Sequence, residues 1–168
     1  KGAKLIDGTG NSSSVDVFVL IRGEKIIDIG FQKNLPQNIE KFRVLNFPNG
    51  TILPGLIETH SHMHCTGNKE SLERMLSDSE ETLIMRAVKA MRESLLSGVT
   101  TMRDLGSKNI VSFSIKEAIM NGVIPGPRIL VAGTPITTTA GHCYFFGTEA
   151  NSQEEILQAV RNQVKLGA

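Results

Sequence analysis

The rhythm of apolar positions changes near residue 55. Before it, β-branched residues come in short runs. Val15 to Ile21 reads as a strand, Arg22-Gly23-Glu24 as a turn, and Lys25 to Ile29, closed by Gly30, as its hairpin partner. Phe42 to Phe47 alternates apolar and polar residues and predicts a third strand, with Pro48-Asn49-Gly50 as the next turn. Residues 1–10, ending in Asp7-Gly8-Thr9-Gly10, read as turn or loop, and so do residues 31–41 around Pro36. The pattern predicts a small β unit.

Beyond residue 55 a helical period takes over. Leu56 to His62 is a short strand entered from Pro54-Gly55. A short helix is expected near Glu70 to Leu76. Leu83, Ile84, Ala87, Val88, Met91 and Leu95 fall on one face of a helix that begins from Ser79 and stops at Gly98, with Met85 and Met91 read as core packing. Val99 to Leu105 reads as a strand. Asn109 to Asn121 reads as a helix with Ile110, Phe113, Ala118 and Ile119 facing inward. Arg128 to Ala132 is a short buried-type strand, and residues 133–150 a long Gly- and Thr-rich loop. Ser152-Gln153-Glu154-Glu155 is a capping box opening a helix through Ile156, Leu157, Val160 and Val164 to Gly167. Three strand–helix pairs in succession predict right-handed crossovers and a parallel sheet. Three strands leave sheet edges open, so more chain, or a partner, is expected to complete the sheet.

Composition narrows the function classes. The 168 residues are 40% hydrophobic and 21% charged, ordinary for a globular protein. A net charge of +1 from 18 basic and 17 acidic residues gives no field for nucleic acid or an anionic membrane surface. No apolar run reaches transmembrane length, and no signal peptide opens the chain. The expected location is the cytoplasm, or the periplasm if a leader has been removed. Two cysteines, Cys65 and Cys143, make no disulfide framework and read as inert thiols.

The chemistry concentrates in Leu56-Ile57-Glu58-Thr59-His60-Ser61-His62-Met63-His64. Side chains two apart in a strand share a face, so His60 and His62 project together at its carboxyl end. Paired imidazoles there suit a divalent ion such as zinc. The competing reading is a pair of surface or hydrogen-bonded histidines. His64 falls in the following loop, and Glu58 is a structural or supporting carboxylate. Sites in α/β folds form at the carboxyl ends of strands, which brings in Arg103 and Asp104 at the end of the second strand. That pair also reads as a solvated turn or a structural ion pair. His142 and Tyr144, in the loop after the third strand, border the same end and are candidate substrate contacts. No nucleophile elbow, Walker loop or dinucleotide fingerprint is present.

These stretches resemble the amidohydrolase superfamily. Leu5-Ile6-Asp7-Gly8-Thr9-Gly10 with Val19 to Ile29 resembles the amino-terminal part of its small β-sandwich. Leu53-Pro54-Gly55-Leu56-Ile57-Glu58-Thr59-His60-Ser61-His62-Met63 resembles its first barrel strand. Gly98-Val99-Thr100-Thr101-Met102-Arg103-Asp104-Leu105-Gly106, Gly126-Pro127-Arg128-Ile129-Leu130 and Gly141-His142 resemble the next two strands of its imidazolonepropionase-like and Xaa-Pro dipeptidase-like branch. The resemblance implies an α/β fold, the amino-terminal part of a (β/α)8 TIM-like metal-dependent hydrolase barrel preceded by strands of a small β-sandwich. Residues 1–54 would belong to the sandwich and 55–168 to the first three β/α units.

It implies hydrolysis of an amide or peptide C–N bond by metal-activated hydroxide. A dipeptidase or carboxypeptidase-like substrate ranks ahead of a cyclic amide such as imidazolonepropionate. His60 and His62 would bind one of one or two zinc ions, while His142, Tyr144 and Arg103 contact substrate. A bridging lysine, two further histidines and the proton-handling aspartate are expected beyond Ala168, so no catalytic residue is assigned within the chain and these residues alone should be inactive. Lys165, in the last helix, is not taken as that lysine. The expected partner is a small-molecule or dipeptide substrate, with a homo-oligomer possible. The alternative is a non-catalytic amidohydrolase-fold binding or assembly protein.

Overall fold

A computed structural model describes residues 1–168 as two compact units, Lys1–Pro54 and Gly55–Ala168. The first holds a four-stranded sheet in the order β3-β2-β1-β4, with β1 Gly2–Leu5, β2 Ser14–Arg22, β3 Lys25–Phe31 and β4 Phe47–Ile52. The hairpin β2–β3 turns at Gly23 as expected, and β1 pairs antiparallel with β2 and parallel with β4. Leu5, Val17 and Phe18 are its buried apolar residues.

Three expectations fail in this unit. Residues 2–5, read as loop, are the strand between β2 and β4. Residues 42–46, read as strand, lie outside regular structure, and Pro48-Asn49-Gly50, read as a turn, is part of β4. The reason is non-local pairing. Gly2 stands opposite Phe47 and Lys4 opposite Thr51, so the residues between Phe47 and Thr51 bulge. On an edge strand the missing N–H of Pro48 breaks no ladder bond. Residues 32–34 and 39–41 form short 3-10 turns within the expected loop. A groove of about 590 Å³ lies in this unit, lined by Phe18, Leu20, Ile26, Phe42 and Phe47 among others.

The second unit is mixed α/β. Strands β5 Leu56–Ser61, β6 Val99–Asp104 and β7 Arg128–Val131 form a parallel sheet in sequence order. Helices α1 Ser71–Ser77 and α2 Glu80–Leu96 connect β5 to β6, and α3 Val111–Met120 connects β6 to β7. Ser79 caps α2 by accepting from the Thr82 amide, and Gly98, at φ 98°, ends it. Leu83, Ala87 and Met91 of α2 pack with Met102, Ile129 and Val131 of the sheet and with Val111 and Ile115 of α3. Met91 is buried as read, but Met85 is 67% exposed. In α3 the buried row is Val111, Ser112 and Ile115, while Ile110 is half exposed. Phe113 and Ile119 are half-buried against the same core, as expected, so the inward face of α3 spans both rows.

Residues 133–150 are more ordered than a plain loop. Two short strands, β8 Ile136–Thr137 and β9 Thr148–Glu149, pair in parallel and pin its base. Helix α4 Gln153–Leu166 opens with the expected capping box: the Glu155 amide donates to Ser152 Oγ (3.2 Å) and the Ser152 amide to Glu155 Oε2 (3.0 Å). Replacing Ser152 by alanine is expected to cost about 1 kcal/mol, read as a lower midpoint in thermal or urea unfolding. An unchanged midpoint would show that α4 does not depend on its cap. Ala159 is buried in α4, whereas Ile156, Leu157, Val160 and Val164 are exposed. No helix is long and apolar enough to cross a membrane.

Candidate metal centre

Strand β5 ends at Ser61, so His60 is its penultimate residue and His62 the first beyond it. The two rings nevertheless meet edge to face, with centroids 5.5 Å apart. The register explains part of this. Glu58 pairs with Met102 and Ser61 with Asp104, so β5 carries one extra residue around Thr59 and His60. A bulge at a strand end re-aims side chains. Glu58 is exposed, and its carboxylate accepts from the His60 amide at 2.8 Å, which makes it a support for this backbone.

His62 Nδ1 lies 2.8 Å from the Gly106 carbonyl oxygen. A carbonyl only accepts, so the bond requires a proton on Nδ1. In the neutral ring that leaves the Nε2 lone pair available. His60 is exposed at the strand end. The pair thus offers two nitrogen donors, one with its tautomer set by the backbone. A ligating histidine ordinarily has this kind of second hydrogen bond, so the residues present fit a divalent ion. No group of three or more His, Cys, Asp or Glu side chains converges in this chain.

Asp104 is fully buried beneath this end of the sheet. Its Oδ2 accepts from the Met63 amide (2.9 Å), its Oδ1 from the Gly106 amide (3.0 Å), and both oxygens lie within 3.0 Å of Ser107 Oγ. Burial pushes its carboxyl above the usual range, against the pull of these bonds. The neighbouring Arg103 is exposed on the opposite face, and its Nε donates to the Thr59 carbonyl at 2.8 Å. Arg103 and Asp104 are therefore neither an ion pair nor a solvated turn, because strand alternation sends them to opposite sides.

His64 lies in the loop and is fully buried. Its Nδ1 is 3.3 Å from Ser107 Oγ, and its Nε2 has no partner. Burial, followed by repulsion of its charged form from the neighbouring His62, Arg86 and Lys108, lowers its pKa to about 4. The ring is neutral at pH 7.

The loop after β7 returns to this end of the sheet. Phe146 is buried with its ring 6.3 Å from His62 and 5.7 Å from His64, edge to face in both cases. Phe145 packs on Phe146, and Tyr144 on Phe145. His142 and Tyr144 are exposed on the same loop. Cys65 and Cys143 are half-buried, and burial raises both thiols, which leaves them mostly protonated at neutral pH. Sequence reading did not single out Phe146, Gly106 and Ser107, and offered Asp104 only as a neighbour of Arg103. Three successive aromatics, Tyr144-Phe145-Phe146, in a polar loop were the signal for the first.

Residues 51–168 match the amidohydrolase family. The chain belongs to this family. It is 25% identical over 130 residues to a 5-methylthioadenosine/S-adenosylhomocysteine deaminase of Desulfitobacterium hafniense, which covers 68% of this chain and 30% of that protein. It is 24% identical over 178 residues to the ochratoxinase of Aspergillus niger, covering 89% of this chain and 36% of that one. Among solved structures, a Xaa-Pro dipeptidase with bound methionine in the active site matches with a TM-score of 0.82 and 28% identity, over 99% of this chain and 44% of its own. The chain thus spans less than half the length of each of these relatives.

Proposed function

We propose that this amidohydrolase hydrolyses an amide or peptide C–N bond, with His60 and His62 holding a divalent ion. The observation that carries the reading is the Nδ1–H bond from His62 to the Gly106 carbonyl beside the ring of His60. It presents Nε2 as a donor without further rearrangement. Imidazole donors suit zinc, and zinc is the ion proposed. When bound, such an ion supplies Lewis-acid polarisation of the scissile carbonyl and a water acidified towards neutrality.

The chain's own residues hold and orient. His62 keeps one tautomer through Gly106, and Phe146 closes one side of its ring against water. Arg103 spends Nε on Thr59, which leaves the rest of its guanidinium for a substrate carboxylate. His142 and Tyr144 are proposed to contact substrate from the loop that carries Phe146. In fold terms, residues 55–168 are proposed as the first three units of a (β/α)8 barrel and residues 1–54 as strands of a small β-sandwich.

A dipeptide is the preferred substrate, supported by 28% identity to the Xaa-Pro dipeptidase along nearly the whole chain. The relatives named as a dipeptidase and a deaminase both act at a carbon–nitrogen bond, which is the common ground of the proposal. The test is elemental analysis of the full-length protein purified without chelator, followed by a screen of dipeptides and cyclic amides. One to two equivalents of zinc with turnover of a dipeptide is the expected result. A protein that neither retains nor takes up zinc and cleaves nothing would leave a barrel that binds without cutting.

A further inference from the structure

We infer that Asp104 is a positioning residue for the metal pair, holding His62 from two sides through the backbone. The inference rests on the reading of His60 and His62 as metal ligands and adds the group that aims one of them. Asp104 Oδ2 accepts the amide of Met63, the peptide that leaves His62, at 2.9 Å. Its Oδ1 accepts the amide of Gly106 at 3.0 Å, and the carbonyl of that same residue receives the His62 ring proton at 2.8 Å. One carboxylate therefore holds both the chain that carries the ring and the residue whose carbonyl sets its tautomer.

Two further features separate this from ordinary loop packing. Gly106 sits at φ +154°, and a Cβ there would lie 2.4 Å from Pro135 Cγ. The peptide presented to His62 runs from Gly106 to Ser107, and its amide donates to the Gly133 carbonyl at 2.8 Å, so its carbonyl direction is set from behind. Second, Asp104 is fully buried with no ion-pair partner. A buried charge without a counter-ion is costly, and amide or hydroxyl donors repay only part of it. The three donors that Asp104 collects, two amides and the Ser107 hydroxyl, all come from the segments that carry His62 and its acceptor. The Ser107 hydroxyl lies within 3.0 Å of both carboxylate oxygens and shares its single proton between them.

The test compares the full-length protein with its Asp104→Asn variant. Nitrogen-15 long-range correlation spectra of the metal-free proteins report the His62 tautomer, and chelator competition reports the zinc Kd. The parent is expected to show His62 protonated at Nδ1. The variant is expected to mix in the Nε2–H form and to bind zinc about tenfold more weakly or worse. A merely structural role would lower the unfolding midpoint and leave both readouts in place. A folded Asp104→Asn protein with an unmoved tautomer and a Kd within about twofold of the parent overturns the inference. If that variant does not fold, Ser107→Ala decides: a smaller change in the same direction supports the inference, and none overturns it. Failure of the metal reading looks different, since the parent itself would then take up no zinc. The tautomer of the metal-free protein still settles the hold of Asp104 on the ring in that case.

Discussion

Exchanging His60 and His62 together for alanine is expected to abolish metal retention and to lower kcat/KM on the best substrate by about a thousandfold or more. The estimate follows from removing a Lewis acid worth several kcal/mol in the transition state, at about 1.4 kcal/mol per factor of ten. The fold should survive the exchange. His60 is exposed, and His62 contributes a single ring hydrogen bond, to Gly106, worth about 1 kcal/mol net. The Met63 and Gly106 amides keep their acceptor in Asp104. Elemental analysis, steady-state kinetics and a urea melt on the full-length protein check the three statements together. A variant that keeps its zinc and its turnover would remove these histidines from the chemistry. A variant that unfolds would instead assign them a structural role.

Acidification from pH 7 to 4 is expected to remove about 3 kcal/mol of stability through His64 alone. The size is the separation between an ordinary imidazole near 6.5 and the value of about 4 imposed by burial, at 1.36 kcal/mol per unit. The sign follows from which state takes the proton. Between these two values the unfolded chain binds a proton at His64 and the folded chain does not. Stability from this group is complete above pH 6.5, falls through the window, and is fully lost below pH 4. Burial of Asp104 acts in the opposite direction, because a raised carboxyl binds its proton more readily in the folded state. The measurement that isolates His64 is the difference between the metal-free parent and His64→Gln in urea unfolding at pH 7 and at pH 4.5. The variant should lose most of the pH slope in this range. Parallel slopes would mean that His64 is protonated without cost, and that its unpartnered Nε2 finds solvent.

The family match over residues 51–168 agrees with the resemblance carried by the stretch from Leu53 to Met63. That stretch was readable because its signal is local. Pro54-Gly55, an apolar strand and two histidines at a spacing of two need no knowledge of the rest of the chain. Helix α2 was readable for the same reason, since the row Leu83, Ala87, Met91 repeats at the helical period and Gly98 marks its stop. Other local signals were present and overruled. Pro48-Asn49-Gly50 has turn composition, yet it lies in an edge strand because β1 pairs along it. Met85 is as apolar as Met91, yet one is exposed and the other buried, because six residues set them about 120° apart around α2.

The chain on its own therefore carried the β2–β3 hairpin, the parallel β5-β6-β7 progression with its helices, and the pair of imidazoles at a strand end. These are set by backbone periods of 2 and 3.6 residues, which act within a few positions. What surrounds the imidazoles was settled by folding. Gly106 is 44 residues from His62 in sequence and Asp104 is 41 from Met63, yet each pair shares a hydrogen bond. Phe146 reaches the same rings from the loop beyond β7. Such partners depend on strand register and on which residue bulges, and a shift of one position in β5 against β6 would send Asp104 elsewhere. The identity of the donors is a one-dimensional property; the tautomer they present is a three-dimensional one, because a carbonyl from another strand end has to meet the ring.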